Sequence, residues 1–415
     1  MDESLRQGVA VLAVAMMVAI AARQIKLPYT VGLVIVGAIV ATSNAEIAPH
    51  LTHELIFDFI LPPLLFEAAL TLSWRELLRD SAPLLALAGV GTVISAAVVA
   101  TSMTTLLDWP LASALVFGAL IAATDPVAII AMFKDNKIRG RIRLLVESES
   151  LLNDGAAAVL FVMALAWAVS GGEGQTAGET AFTLLKIVLG GVVVGALCGG
   201  AAIIASLPTT EHLVEAALTT IAAFGSFLLA EYFHVSGVLA TVTAGLMMGN
   251  LGLLSESEGG YISRRGREFV LSFWDFAAFL ANSVVFLLIG VDVASTPFAA
   301  IGPGPLAAAI AIVLVARAIT VYPLSSLFLR SRWKVSLREQ HVLWWGGLRG
   351  ALAAALALSL PLDLPRRDDI VALTFGVVAF SIVVQGLTMP LLLRALGFLP
   401  RPAGALPSQA DEGAH

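Results

Sequence analysis

Thr124-Asp125-Pro126 and Glu149-Ser150-Leu151-Leu152-Asn153-Asp154 set acidic and polar side chains inside segments that are otherwise apolar. A carboxylate near the middle of a membrane helix costs about 2.5–3.5 kcal/mol even on the forgiving insertion scale. A chain that keeps such charges on two successive helices has a use for them, and the default use is an ion or proton pathway. Pro126 has no N–H and clashes with the preceding turn, so the first of these helices is expected to break at its charge.

Composition fixes the class around these motifs. Of 415 residues, 58% are hydrophobic and 13% charged, against about 25% charged in a soluble domain. The chain therefore reads as an all-α polytopic membrane protein. Apolar runs separated by charged or Pro/Gly-rich breaks give thirteen candidate transmembrane helices, near 8–22, 29–44, 54–72, 83–106, 111–133, 144–170, 181–206, 212–233, 236–250, 268–292, 304–328, 339–361 and 370–397. The break at 251–267 is too short to fold alone, so 1–399 reads as a single membrane transport domain and 400–415 as a short cytoplasmic tail. Met1-Asp2-Glu3 lacks a basic n-region, so the first run reads as a retained span rather than a signal peptide. The lone cysteine, Cys198, excludes an intramolecular disulfide.

Charge distribution orients the spans. With thirteen spans and the N-terminus outside, 18 of the 24 Lys and Arg residues fall on the inner side and three on the outer side. The positive-inside rule then gives N-terminus out, C-terminus cytoplasmic. An odd number of spans accommodates two six-helix halves in inverted topology joined by a linking helix. The fifth span is interrupted at Asp125-Pro126, and its counterpart, the twelfth, at Gly346-Gly347 and Gly350 around Arg349. Interrupted helices at matching positions are the best pointer to a midplane binding site.

The polar residues then take roles. Asp125 can neutralise the positive end of a half-helix at the break, while Thr124 offers a hydroxyl and a carbonyl to a cation; a simple proline kink is the competing reading. On the sixth span, Ser150 and Asp154 are four residues apart, as are Glu149 and Asn153, so they share one helix face. Asp154 reads as the main cation and proton site, with Asn153 and Ser150 as neutral oxygen donors. Glu147 reads as a funnel residue nearer the cytoplasm, or as a simple partner of Arg143 or Lys137. An all-oxygen set suits a hard monovalent ion, and nothing clusters His or Cys for a transition metal. Arg317 has no charge near it in sequence and needs a partner on another helix; Glu149 is the choice. Arg349 is expected to balance the negative end of a half-helix in its own broken span. Glu67 and Asp58 are less specific, as cavity or contact residues, and Asp292 reads as capping or solvated. The chain has no H-E-x-x-H or G-x-S-x-G pattern, so no enzyme activity is expected.

Taken in order, Leu61-Pro62-Pro63 to Phe66-Glu67, Ala123-Thr124-Asp125-Pro126-Val127-Ala128, Glu147 to Gly155, Phe286-Leu287-Leu288-Ile289-Gly290, Ala316-Arg317-Ala318 and Gly346 to Ala351 resemble the NhaP/NHE-type sodium–proton antiporters of the cation:proton antiporter superfamily. The resemblance covers nearly the whole membrane domain. It implies a homodimer with scaffold or dimerisation helices, about 8–72 and 212–292, and a mobile core, about 83–170 and 304–397, linked by 181–206. It implies two inverted repeats with crossed discontinuous helices, ion-site residues at Thr124, Asp125, Ser150, Asn153 and Asp154, and a buried pair between Glu149 and Arg317. The Asn153-Asp154 pair implies electroneutral exchange of one Na+ or Li+ for one H+. The expected partners are that cation, the proton and the bilayer, with no nucleic acid and no cofactor, in a bacterial or archaeal inner membrane. Competing readings are a K+/H+ antiporter, a cation channel with acidic residues along a pore, and a neutral-solute or organic-anion carrier.

Overall fold

The computed structural model describes residues 3–25, 27–42, 51–138, 140–171, 176–209, 211–253 and 263–399. Each of the thirteen apolar runs lies on helix. Eight helices among the described residues are long and apolar enough to cross a membrane by themselves: Ser81–Leu107, Leu111–Lys134, Arg141–Val169, Gly178–Ser206, His212–Tyr232, Arg265–Ser295, Pro303–Ser326 and Arg367–Ala395. Shorter apolar helices occupy Arg6–Ala22, Tyr29–Thr42 and Gly237–Gly252. The run at 54–72 is a π-helical turn, Leu55–Ile60, leading into the α-helix Leu61–Thr71. Pro62 and Pro63 stand in the first turn of that α-helix, where a missing N–H removes no helical hydrogen bond. The tail at 400–415, the segment 43–50 with His50, and most of the 251–267 break lie outside the described residues.

Two runs are not continuous. The first divides into Leu111–Ala122 and Val127–Asp135, with residues 123–126 unwound. The second divides into Leu337–Trp345 and Ala351–Leu358, with 346–350 between them. In the first break Pro126 supplies no donor and starts the next half-helix. In the second, three of the five residues are glycine, which weakens helix most among ordinary residues. The breaks meet, because the Asp125 N–H donates to the Leu348 carbonyl at 2.8 Å.

The surrounding helices pack through small residues, as expected where lipid supplies no hydrophobic drive for helix association. Tyr29–Thr42 lies along Arg264–Ser295. At their contact a side chain on Gly37 would overlap the Leu287 carbonyl, and one on Gly290 would overlap the Val34 carbonyl. This explains the Phe286 to Gly290 stretch as a close backbone crossing. Asp292, one turn on, is buried and accepts the Leu51 N–H at 3.0 Å, so it caps a neighbouring segment rather than facing solvent. On the opposite face, buried Asp80 receives Arg141 at 2.9 Å. Arg141 also donates to the Lys334 and Trp333 carbonyls at 2.7 and 3.2 Å. That clamp ties three loops beneath the broken helices and was not visible in the sequence.

Gly290→Ala is expected to destabilise the protein by about 1–3 kcal/mol through overpacking. Gly225→Ala, where an added Cβ meets nothing within 4 Å, is expected to be neutral or slightly stabilising. Thermal unfolding of both variants in detergent checks the contrast.

Candidate functional site

Four half-helix ends converge where the two unwound segments cross, and each end needs compensation. Asp125 serves both positive ends. Its carboxylate accepts the Val127 N–H at 2.9 Å, at the start of its own second half-helix. Its charge is also stabilised by the Ala351 N–H, at the start of the other one. A side chain on Gly350 would overlap that carboxylate, so the approach requires glycine there.

Arg349 serves a negative end, but not the expected one. Its Nη1 donates at 3.1 Å to the Ala123 carbonyl, which closes the Leu111–Ala122 half-helix of the other broken run. In its own run the last helical carbonyl, at Trp345, accepts from Gln385 at 2.9 Å. The expectation of compensation within one span fails because the crossing brings the foreign carbonyl closer to the guanidinium. Ser381 completes the break: its hydroxyl accepts the Arg349 N–H at 3.0 Å. Gln385 and Ser381 carried no signal in the sequence, since a lone polar residue in an apolar run looks like ordinary packing.

Against this crossing lies the Arg141–Val169 helix. Ser150 Oγ donates to the Thr124 carbonyl. Asn153 Nδ2 donates to the Thr124 hydroxyl at 3.2 Å and to Glu149 Oε1 at 3.4 Å. Arg317 meets Glu149 in a bidentate pair, Nη1 to Oε1 at 2.7 Å and Nη2 to Oε2 at 2.8 Å. Both side chains of the pair are almost wholly buried, at 6% and 3% exposure. Arg317 spends its remaining donors on the Leu343 carbonyl. Glu149 therefore has its charge answered and both of its oxygens engaged.

Asp154 does not. Its Oδ1 is buried without a hydrogen-bond partner, as is Asn153 Oδ1. The charges that face Asp154 are Asp125 and Glu149, which repel it, and Arg349, which attracts it. Three carboxylates (Asp125, Glu149, Asp154) and two guanidiniums (Arg317, Arg349) leave one formal negative charge unanswered. A single monovalent cation or a proton restores neutrality.

A cavity of about 1260 Å³ connects this point with the surface. Thr124, Asp125, Ser150 and Asp154 line its deep end, and Lys134, Asn136, Asp275 and Arg394 its mouth. Along the two helices its lining stops at Asp154 and at Ala353. One turn further, Ala157, Phe161 and Leu356 are packed into the main apolar cluster. The site is thus reached from one side and sealed on the other. Glu147 lines the cavity wall and is held by Arg143 at 3.3 Å. Glu67 lines it too, and pairs with Lys134. Asp58 does not line the cavity.

Crossed, unwound helices around a buried carboxylate, at the end of a one-sided cavity, define an integral membrane ion transporter. The family described as "Sodium/hydrogen exchanger, transmembrane" matches residues 10–395, and the chain belongs to it. It is therefore a transmembrane sodium/proton antiport protein and not an enzyme. The chain is 40% identical over 407 residues to the Na(+)/H(+) antiporter ApNhaP of Aphanothece halophytica, covering 96% of this chain and 76% of that protein. It is 36% identical over 401 residues to the Na(+)/H(+) antiporter NhaH of Halobacillus dabanensis, covering 94% and 96%. Its fold is similar to that of the sodium proton antiporter MjNhaP1 from Methanocaldococcus jannaschii at pH 8, with a TM-score of 0.75, 21% identity, and coverage of 95% of this chain and 99% of that one.

Removing one member of a buried ion pair strands the other, which costs about 3–5 kcal/mol. Arg317→Ala is expected to lower the unfolding temperature sharply. Glu149→Leu combined with Arg317→Met is expected to lower it less, because no charge is left stranded. Equal loss in the two proteins, measured by thermal unfolding, would assign the damage to packing instead.

Proposed function

We propose that the protein exchanges sodium, or lithium, for protons by letting cation and proton compete for Asp154. The observation that carries this reading is the unpartnered Oδ1 of Asp154 at the end of a one-sided cavity, beside one uncompensated negative charge. Removal from water disfavours a bare carboxylate, so either ligand lowers the cost of carrying the site past the apolar seal. The empty, charged site stays where it is. That restriction couples the fluxes without a gate that senses both ions. Thr124, Ser150 and Asn153 supply neutral oxygens beside Asp154, and Asp125 and Arg349 hold the crossing in shape. Glu147 lies on the way in as a funnel residue. One missing positive charge, filled by one Na+ or one H+, supports electroneutral one-for-one exchange.

Alternating access follows from movement of a core, about 83–170 and 304–397, against scaffold helices, about 8–72 and 212–292, with 181–206 as the link. The two broken helices occupy matching places in two inverted six-helix repeats, which supports thirteen spans. With the N-terminus outside and the basic loops inside, the cavity mouth at Lys134 and Arg394 faces the cytoplasm, in the inner membrane of a bacterium or archaeon. The scaffold helices supply the contact of a homodimer. Curated relatives named as Na(+)/H(+) antiporters support sodium over potassium.

In proteoliposomes holding an imposed proton gradient, added sodium is expected to drive proton efflux from wild type. Asp154→Asn, verified as folded, is expected to show none; retained exchange would move the site elsewhere. Protons fill the site as pH falls, so the apparent sodium KM is expected to rise by up to about tenfold per pH unit on the acid side. A KM that does not change with pH rules out simple competition.

A further inference from the structure

We propose that Lys134 is an internal competitor for the transported cation, an ammonium group that fills the acidic mouth of the cavity until an entering ion displaces it. The inference rests on the exchange function proposed above and adds a residue that sets its cation affinity.

Lys134 stands in the last turn of Val127–Asp135, the half-helix that begins against Asp125. Its Nζ reaches across the cavity mouth to Asp275 Oδ1 at 2.9 Å and to Glu67 Oε1 at 3.6 Å. Those carboxylates belong to two other helices, Arg264–Ser295 and Leu61–Thr71, which pack on each other. Glu147, on the cavity wall, adds a third attractive charge to the ammonium. All four side chains line the same cavity, whose far end is Asp154. A monovalent cation going to Asp154 therefore meets carboxylates whose charge a lysine already answers in part.

The hold is of a size that permits displacement. The Lys134 side chain is 44% exposed and Asp275 is 65% exposed, whereas Glu67 is 16% exposed. The outer contact is screened by water and contributes little, and the inner contact with Glu67 is the firmer one. An ammonium on a flexible four-carbon stem can swing from this position into solvent. Its charge matches that of the transported cation, so the exchange at the mouth leaves the net charge there unchanged. Lys134 is a positioning residue in this scheme: it never touches Asp154.

The test compares sodium-driven proton efflux in wild type, Lys134→Gln, Lys134→Arg and Arg394→Gln. Arg394 also lines the mouth but forms no ion pair with these carboxylates, and so serves as the control for the general field of a positive charge. Wild-type exchange comes first, since its absence would overturn the function rather than this inference. Given exchange, Lys134→Gln is expected to lower the apparent sodium KM about three- to fivefold, the range that a partly exposed ion pair supports, with the maximal rate little changed. Lys134→Arg is expected to stay within about twofold of wild type, since charge and reach are kept. Arg394→Gln is expected to leave KM near wild type. An unchanged or raised KM in folded Lys134→Gln overturns the inference. An equal fall in Arg394→Gln also overturns it, by assigning the effect to the overall field.

Discussion

The meeting of four half-helix ends in a low-dielectric interior is the constraint on which the rest of this structure depends. Unpaired backbone groups there cost several kcal/mol each. The molecule answers them with three charged side chains, one hydrogen bond between the breaks and two neutral side chains. Asp125 takes both positive ends, and Arg349 takes the negative end of the helix to which it does not belong. Gln385 and Arg317 take the Trp345 and Leu343 carbonyls in the last turn of Leu337–Trp345. Neither broken helix is complete without the other, so the crossing behaves as one unit.

That unit also determines what the carboxylates beside it are free to do. Glu149 is spent on Arg317 and Asn153, with both carboxylate oxygens accepting. Asp154, one turn along the same helix, has an oxygen with no partner and a cavity in front of it. The two groups are five residues apart, and the arrangement of neighbouring helices alone gives one a structural task and leaves the other available. The apolar seal at Ala157, Phe161 and Leu356 then makes the available one reachable from a single side.

The mouth of the cavity follows a different physics. Lys134, Glu67 and Asp275 are partly exposed, so their contacts are weak and exchangeable. Deep in the crossing, charges are fixed because moving them would strand a partner. Under the proposed exchange, an entering ion would pass from exchangeable to fixed charge along one path.

The sequence by itself determined the class, the helical segments and the short list of candidate site residues. Composition demands a bilayer, apolar length sets each helix, and Pro126 and the glycines at 346–350 mark where two of them break. Thr124, Asp125, Ser150, Asn153 and Asp154 stood out because polar groups are rare in apolar runs, and the choice of Glu149 for Arg317 followed from the need of a buried cation for an anion. Tertiary structure decided which charge answers which helix end. It alone showed that Arg349 serves the Ala123 carbonyl, that Gln385 and Ser381 finish the break, that Arg141 clamps Asp80, and that Lys134 spans the cavity mouth. The physical reason is range. Hydrophobicity and backbone breakage act along the chain and can be read from neighbouring residues. Hydrogen bonds and ion pairs act over about 3 Å in space, between residues that at the crossing lie as far as 226 positions apart, as Arg349 and Ala123 do.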